Sequence, residues 1–399
     1  SLRVSPDNPG SQAWTAASAL VYGGAHYWYL PALVLFIALA KLVRRAPIVA
    51  VAVAASAAVI APVAAPLFNG LWPILGANLD RWLSLCVWFL VGCFLRPVIG
   101  RIAPLPAVQQ RLAAQVAAGS FGYTSPPREL PGQLAADYAS RYGWNIDPQW
   151  IVWLPGLVLG LNLAVKACSA PGQPVVTFSP VYPPFLGAPA TQDRELLDIP
   201  LKQLNAAGTE LTIDFAALEQ ALAARQGAQR VRLLLLCHPH NPSGRLFSRA
   251  ELQQLAALCE SHELYVCSDE VHADLILDGT TAHIPFASFL AERSPELLAR
   301  SITLHSPSKT FNIAGLGIAW AIIPDRALRQ TFRQAMQRLV PDVCCFGYSA
   351  LQAVLEEGEP WRQALLVQLR ENRDKVSAAL DGMGLAHSHP EVTYLSWID

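Results

Sequence analysis

Hydrophobic positions fall into two patterns along the chain. Between residues 27 and 99 they run almost unbroken, and Lys41, Arg44, Arg45, Asp80, Arg81 and Arg96 are the only charged side chains in that stretch. Beyond Arg101, short apolar runs of strand length alternate with amphipathic stretches of helical period.

The first pattern predicts a three-helix membrane segment. Residues 27–40, 46–68 and 82–95 are apolar, and residues 46–68 carry no charge. A bilayer is crossed by ~20 apolar residues. The first and third segments reach that length only with flanking residues such as Val21, Tyr22, Val98 and Ile99. Trp28, Trp72, Trp82 and Trp88 fit interfacial anchors. Lys41, Arg44 and Arg45, with Arg96 and Arg101, orient the spans by the positive-inside rule. That orientation puts the first tail outside and everything after Arg101 in the cytoplasm. The same segments also fit buried helices of a soluble protein. A cleaved signal peptide fits poorly, because the apolar region is long and repeats.

The second pattern predicts alternating helices and strands. Residues 106–118, with Val108, Leu112 and Val116 at helical spacing, and residues 128–142 read as helices. Residues 175–178, 231–237, 264–267, 302–304 and 317–323 are apolar runs that read as strands. Asp214 is the expected N-cap of a helix over 214–225. Ser248-Arg249-Ala250-Glu251 reads as a capping box opening a helix to about Ser261. Short apolar strands alternating with helices predict an α/β fold, a mostly parallel sheet between helices. Sites in such sheets lie beyond the strand C-termini.

Composition narrows the function classes. The chain has 399 residues, 53% of them hydrophobic. Its mean hydropathy of +0.30 owes its excess to the first hundred residues. A net charge of -1 gives no electrostatic case for nucleic acid. The eight cysteines show no CxxC or metal-finger spacing, which suits a reducing compartment.

The candidate chemistry gathers after the apolar runs. Lys309 lies in Ser306-Pro307-Ser308-Lys309-Thr310-Phe311, Asp269 in Ser268-Asp269-Glu270-Val271-His272, and Asn241 in His240-Asn241-Pro242-Ser243-Gly244. A lysine, an aspartate and an asparagine at strand ends are the parts that hold pyridoxal phosphate (PLP). The lysine takes the aldehyde, the aspartate keeps the pyridine nitrogen protonated, and the asparagine bonds the phenolic oxygen. Ser306 and Ser308 offer hydroxyls to a phosphate. Leu157 and Val158, after Gly156, open a helix whose free amides suit the same group. Tyr182 is placed to stack on a flat ring and Tyr123 to reach a phosphate, though either tyrosine also fits simple packing. His272 supports the aspartate or is a polar loop residue.

These stretches, with Phe121-Gly122-Tyr123-Thr124, Ser179 to Phe185 and His283-Ile284-Pro285-Phe286, make residues 104–399 resemble fold-type I PLP enzymes of the aminotransferase class I/II superfamily. Within it, the cystathionine β-lyase-type C–S lyase branch matches. The resemblance implies Lys309 as the Schiff-base lysine, Asp269 on the pyridine nitrogen, Asn241 on the phenolic oxygen and Tyr182 on the ring. It also implies Ser306, Ser308, Leu157 and Val158 near the phosphate. Tyr123 would reach the neighbouring subunit's site, so a homodimer is implied. The implied activity is β-elimination from a sulfur-containing amino acid, as a PLP-dependent lyase of amino-acid metabolism. An aminotransferase shares every cofactor contact. A membrane-anchored, inactive PLP-binding fusion or fragment is the reading from another class. The expected organisation is a tail at 1–26, a transmembrane region at 27–100, a PLP-binding large domain at 101–345, and a truncated small domain at 346–399. The family's substrate-carboxylate arginine would lie beyond the last residue.

Overall fold

The first described elements are two helices with matching ends. In a computed structural model, which describes residues 105–205, 208–279 and 282–398, α1 (Pro106–Ala118) and α2 (Leu130–Tyr142) each carry proline in the first turn. Each stops at a glycine in the left-handed region, Gly119 or Gly143. The expected membrane region at 27–100 lies outside the described residues. Among those described, no helix is long and apolar enough to cross a membrane.

After α2 the chain alternates as the pattern predicts. In order come β1 (Ile151–Leu154), α3 (Leu157–Cys168), β2 (Pro174–Ser179), α4 (Pro183–Thr191) and β3 (Glu195–Pro200). A small hairpin, β4 (Lys202–Gln203) and β5 (Leu211–Thr212), leads to α5 (Phe215–Ala223). Then follow β6 (Leu233–Cys237), α6 (Arg249–Ser261), β7 (Tyr265–Asp269), α7 (Phe286–Arg293), α8 (Pro295–Leu298) and β8 (Ser301–His305). The last elements are β9 (Ala319–Ile322), α9 (Arg326–Met336) and α10 (Cys345–Met383). Both expected caps are present: Asp214 accepts from the Ala217 amide at 2.9 Å, and Ser248 with Glu251 closes a capping box on α6. Residues 104–399 form one compact unit, and the expected boundary at 345/346 falls at the start of α10.

The large sheet has seven strands in the order β1-β9-β8-β7-β6-β2-β3. Only β9 runs against its neighbours. The β8–β9 connection holds no crossover helix, so the chain turns back and β9 pairs antiparallel. Within this sheet two strands escaped the sequence reading, as did both strands of the small hairpin. β1 is only four residues long, and edge strand β3 breaks its apolar run with exposed Glu195 and Asp198.

The apolar strands follow from burial on both faces. In β6, Leu233, Leu235 and Cys237 join a core with Leu161, Leu163 and Phe332, from α3 and α9. Leu234 and Leu236 face the other way, into a core with Leu252, Leu255 and Phe286. Each leucine so buried stabilises the fold by about 1.5–3 kcal/mol relative to exposure.

A C-terminal strap then crosses the loops at the strand ends. The amides of Glu391 and Val392 donate to the Gly244 carbonyl at 2.9 and 3.1 Å, and the Thr393 amide donates to Leu275 at 3.0 Å. Gly244 has φ +69°, and a Cβ there would lie 2.5 Å from Pro390 Cβ, so the close crossing requires glycine.

Candidate active site

β1, β2, β6, β7 and β8 share one direction, so their C-terminal ends line one edge of the sheet. β2 continues to β3 on one side while its neighbour β6 continues to β7 on the other. Crevices of open sheets form at such a reversal. The amide of Tyr182, past β2, donates to the carbonyl of Asn241, past β6, at 3.2 Å and draws the two loops together.

One cavity of about 170 Å³ opens at this edge. Lys309, Asp269, Asn241, Tyr182, His272, Ser306, Ser308, Leu157 and Val158 all line it. Tyr123 does not. It is fully exposed and borders a separate surface depression with Phe121 and Cys344.

Asp269 ends β7 and is buried. Among the described residues its carboxylate accepts one hydrogen bond, from the Val271 amide at 3.1 Å. Burial pushes its pKa up to about 7. The Val271 bond and the Lys309 charge oppose that rise, and the neighbouring Glu270 adds to it. Such a carboxylate is short of partners and suits a cationic ring nitrogen.

Gly156 is the N-cap of α3 and has no side chain to cap the first amides. Nothing lies within 4 Å of where its Cβ would stand. The first turn of α3 thus presents uncapped amides and the positive dipole end to the cavity, as an anion site requires. His272 is buried, and its Nδ1 has no partner among the described residues. Burial, with the nearby Lys309 charge, lowers its pKa to about 4, so the ring is neutral. An amine, an under-bonded carboxylate, an orphaned imidazole nitrogen and an open helix N-terminus in one cavity fit PLP, which carries an aldehyde, a pyridine nitrogen, a phenolic oxygen and a phosphate.

Ser306 also has partners within the protein. The Ser306 hydroxyl donates to the Ile318 carbonyl at 2.7 Å and accepts from the Ser308 amide at 3.1 Å. A hydroxyl has one proton, and in this arrangement it goes to Ile318, so Ser306 shapes the lysine loop while also lining the cavity. Ser308, half-buried on the wall, keeps its hydroxyl free of that role.

The sequence reading missed part of the wall. Cys237, at the end of β6, takes the Asn241 amide on its sulfur at 3.4 Å and thereby shapes the Asn241 turn. It reads as one more apolar strand residue. Gly317, with φ +59°, lets the β8–β9 loop pass close to the Pro155 carbonyl. A Gly-Leu-Gly stretch was the available signal.

Residues 100–399 match the family Aminotransferase class I and II. The cystathionine beta-lyase PatB of Bacillus subtilis is 37% identical over 296 residues, 73% of each chain. OvoB is similar in structure, with 39% identity, a TM-score of 0.69, and coverage of 74% of this chain and 76% of that one. Cystalysin from Treponema denticola, whose crystal structure contains a pyridoxal 5'-phosphate cofactor, has 30% identity and a TM-score of 0.69, with coverage of 74% and 73%.

Proposed function

The chain belongs to the aminotransferase class I and II family, and from that membership and the geometry of its cavity we propose that it is a PLP-dependent carbon–sulfur β-lyase. Its substrates are cystathionine- or cysteine-type amino acids, and its products are a thiol, pyruvate and ammonia. One observation carries the reading: Lys309 and Asp269, at the ends of neighbouring strands, face one cavity with the open end of α3. The relatedness to a cystathionine beta-lyase supports the choice of chemistry within the family.

PLP, when bound, supplies an aldehyde that captures amines and a ring that accepts electrons from the α-carbon. The chain's residues divide the remaining work. Lys309 would hold the aldehyde carbon, and its Nζ is the base that would take the substrate's α-proton. Asp269 keeps the pyridine nitrogen protonated through its carboxylate. Asn241 donates to the phenolic oxygen, and Tyr182 covers the ring. The Leu157 and Val158 amides, with the Ser308 hydroxyl, hold the phosphate. His272 fills the wall beside Lys309. Tyr123, exposed and remote from its own cavity, is assigned to the site of a second subunit, so the working form is a homodimer. The six described cysteines are free, which suits a cytoplasmic location for residues 104–399.

Incubation of the purified chain with PLP and cystathionine, without any keto acid, tests the activity. Pyruvate release is expected. An aminotransferase is the second reading, because the same cofactor contacts serve it. Amino transfer that needs a keto-acid acceptor, with no pyruvate in its absence, would establish it instead.

A further inference from the structure

Side chains alternate across a strand, so Asp269 enters the cavity and Glu270 points away from it. Glu270 is 1% exposed. Its Oε1 accepts from the Ser268 hydroxyl and the Phe286 amide, each at 2.9 Å. Its Oε2 accepts from His283 Nε2 at 2.9 Å. Its own amide donates to the Leu304 carbonyl of β8, the strand that leads to Lys309. The His283 ring lies 4.8 Å from the ring of His238. His238 Nε2 donates to the Ile284 carbonyl at 3.2 Å, and the His238 amide donates to the Asp269 carbonyl at 3.0 Å.

These contacts close a circuit. It runs from Asp269 to Glu270, across to His283 and Ile284, on to His238, and back to Asp269. His238 is also the residue from which the chain turns toward Asn241. We propose that Glu270, His283 and His238 are positioning residues that lock the Asn241 turn against Asp269 and set the electrostatic environment of the cofactor's ring. This inference rests on the PLP reading of the cavity.

The electrostatics support that role. Burial pushes Glu270 up to about 7, and it pushes both His238 and His283 down to about 3. The histidines are therefore neutral donors, and Glu270 is the member whose charge changes near neutrality. Glu270 is also faced by His305 from the end of β8 and by Tyr138 from α2; Asp274 lies near His283 and His305, and Asp269 is adjacent. Burial lowers His305 and raises Tyr138, so both are neutral. Above neutral pH, Glu270 thus places a negative charge directly behind Asp269.

The test uses the full chain, freed of cofactor and titrated with PLP while the visible band and tryptophan fluorescence are followed. Glu270→Gln should bind PLP about tenfold more weakly, as expected for loss of one charge-assisted buried hydrogen bond. On the alkaline side it should also move the pH midpoint of the visible band downward, because removal of a negative charge lowers neighbouring pKa values. His283→Phe should weaken binding similarly, and His283→Gln, which restores a donor to Glu270, should recover it. A purely structural role would lower thermal stability and leave the midpoint in place. Folded variants with unchanged affinity and midpoint overturn the inference. Should Glu270→Gln fail to fold, the contrast between His283→Phe and His283→Gln decides, and equal affinities overturn it. Absence of any PLP band in the unsubstituted chain is a different failure: it removes the cofactor reading itself.

Discussion

Two regions on either side of the end of β7 contain the same chemistry and use it differently. Asp269 and Glu270 are adjacent, buried, and both pushed up to about 7 by desolvation. On the cavity side, Asp269 has one side-chain hydrogen bond among the described residues and open space before it. On the sealed side, Glu270 is 1% exposed and accepts three hydrogen bonds among the described residues. Near-complete satisfaction of polar groups is the rule for a protein interior. A buried carboxylate that breaks the rule at a cavity wall marks a place for a ligand. One that obeys it next door marks a scaffold.

The largest expected effect breaks the cavity side outright. Lys309→Ala should abolish the visible PLP band and lower pyruvate release by about 10²–10⁴-fold or more, the range of one lost acid–base group. Survival of the band would remove Lys309 from its assigned role.

Asp269→Asn sharpens the contrast in two ways. Turnover should fall by about 10²-fold, because an amide does not hold a pyridine nitrogen protonated. The second readout is stability without cofactor. The carboxyl titrates at 3.8 ordinarily and at about 7 in the fold. The folded state therefore keeps the proton to higher pH, and ionisation destabilises it progressively as pH rises from 3.8 toward 7. Cofactor-free Asp269→Asn should melt several degrees above the unsubstituted chain beyond pH 7, and together with it below pH 4. Buried histidines such as His238 and His283 contribute the opposite slope, which cancels in this difference. Coincident melting curves at every pH would contradict the buried, under-bonded Asp269.

The strap is the next test. Gly244→Ala forces a side chain into the left-handed region and against Pro390, and should cost about 1–3 kcal/mol. Denaturant unfolding measures it, and PLP affinity should weaken with it because the Asn241 turn is displaced. The smallest effect lies at the start of α6. Ser248→Ala removes the capping box of α6 and should destabilise by about 1 kcal/mol with turnover unchanged.

What was legible followed from how each signal is encoded. Strands covered on both faces must be apolar throughout, so β2, β6, β7, β8 and β9 stand out in the chain. Caps are local chemistry, so Asp214 and Ser248 announce their helices. Lys309, Asp269 and Asn241 are polar residues just past apolar runs, and the fold of such sheets carries strand ends to one edge. β1 was hidden by shortness and β3 by the charged residues of an edge strand.

The sequence alone determined the α/β class, the five apolar strands, half of the helices and nine residues that line the cavity, because these depend on periodicity and on residues beside their own strand. Only the tertiary structure decided the rest. It turned β9 antiparallel, gave the Ser306 proton to Ile318, placed the strap on Gly244, and separated the open Asp269 from the sealed Glu270. Each of these outcomes depends on a partner distant in sequence, such as Ile318 for Ser306, Pro390 for Gly244 or His283 for Glu270, and such partners become neighbours only when the chain folds.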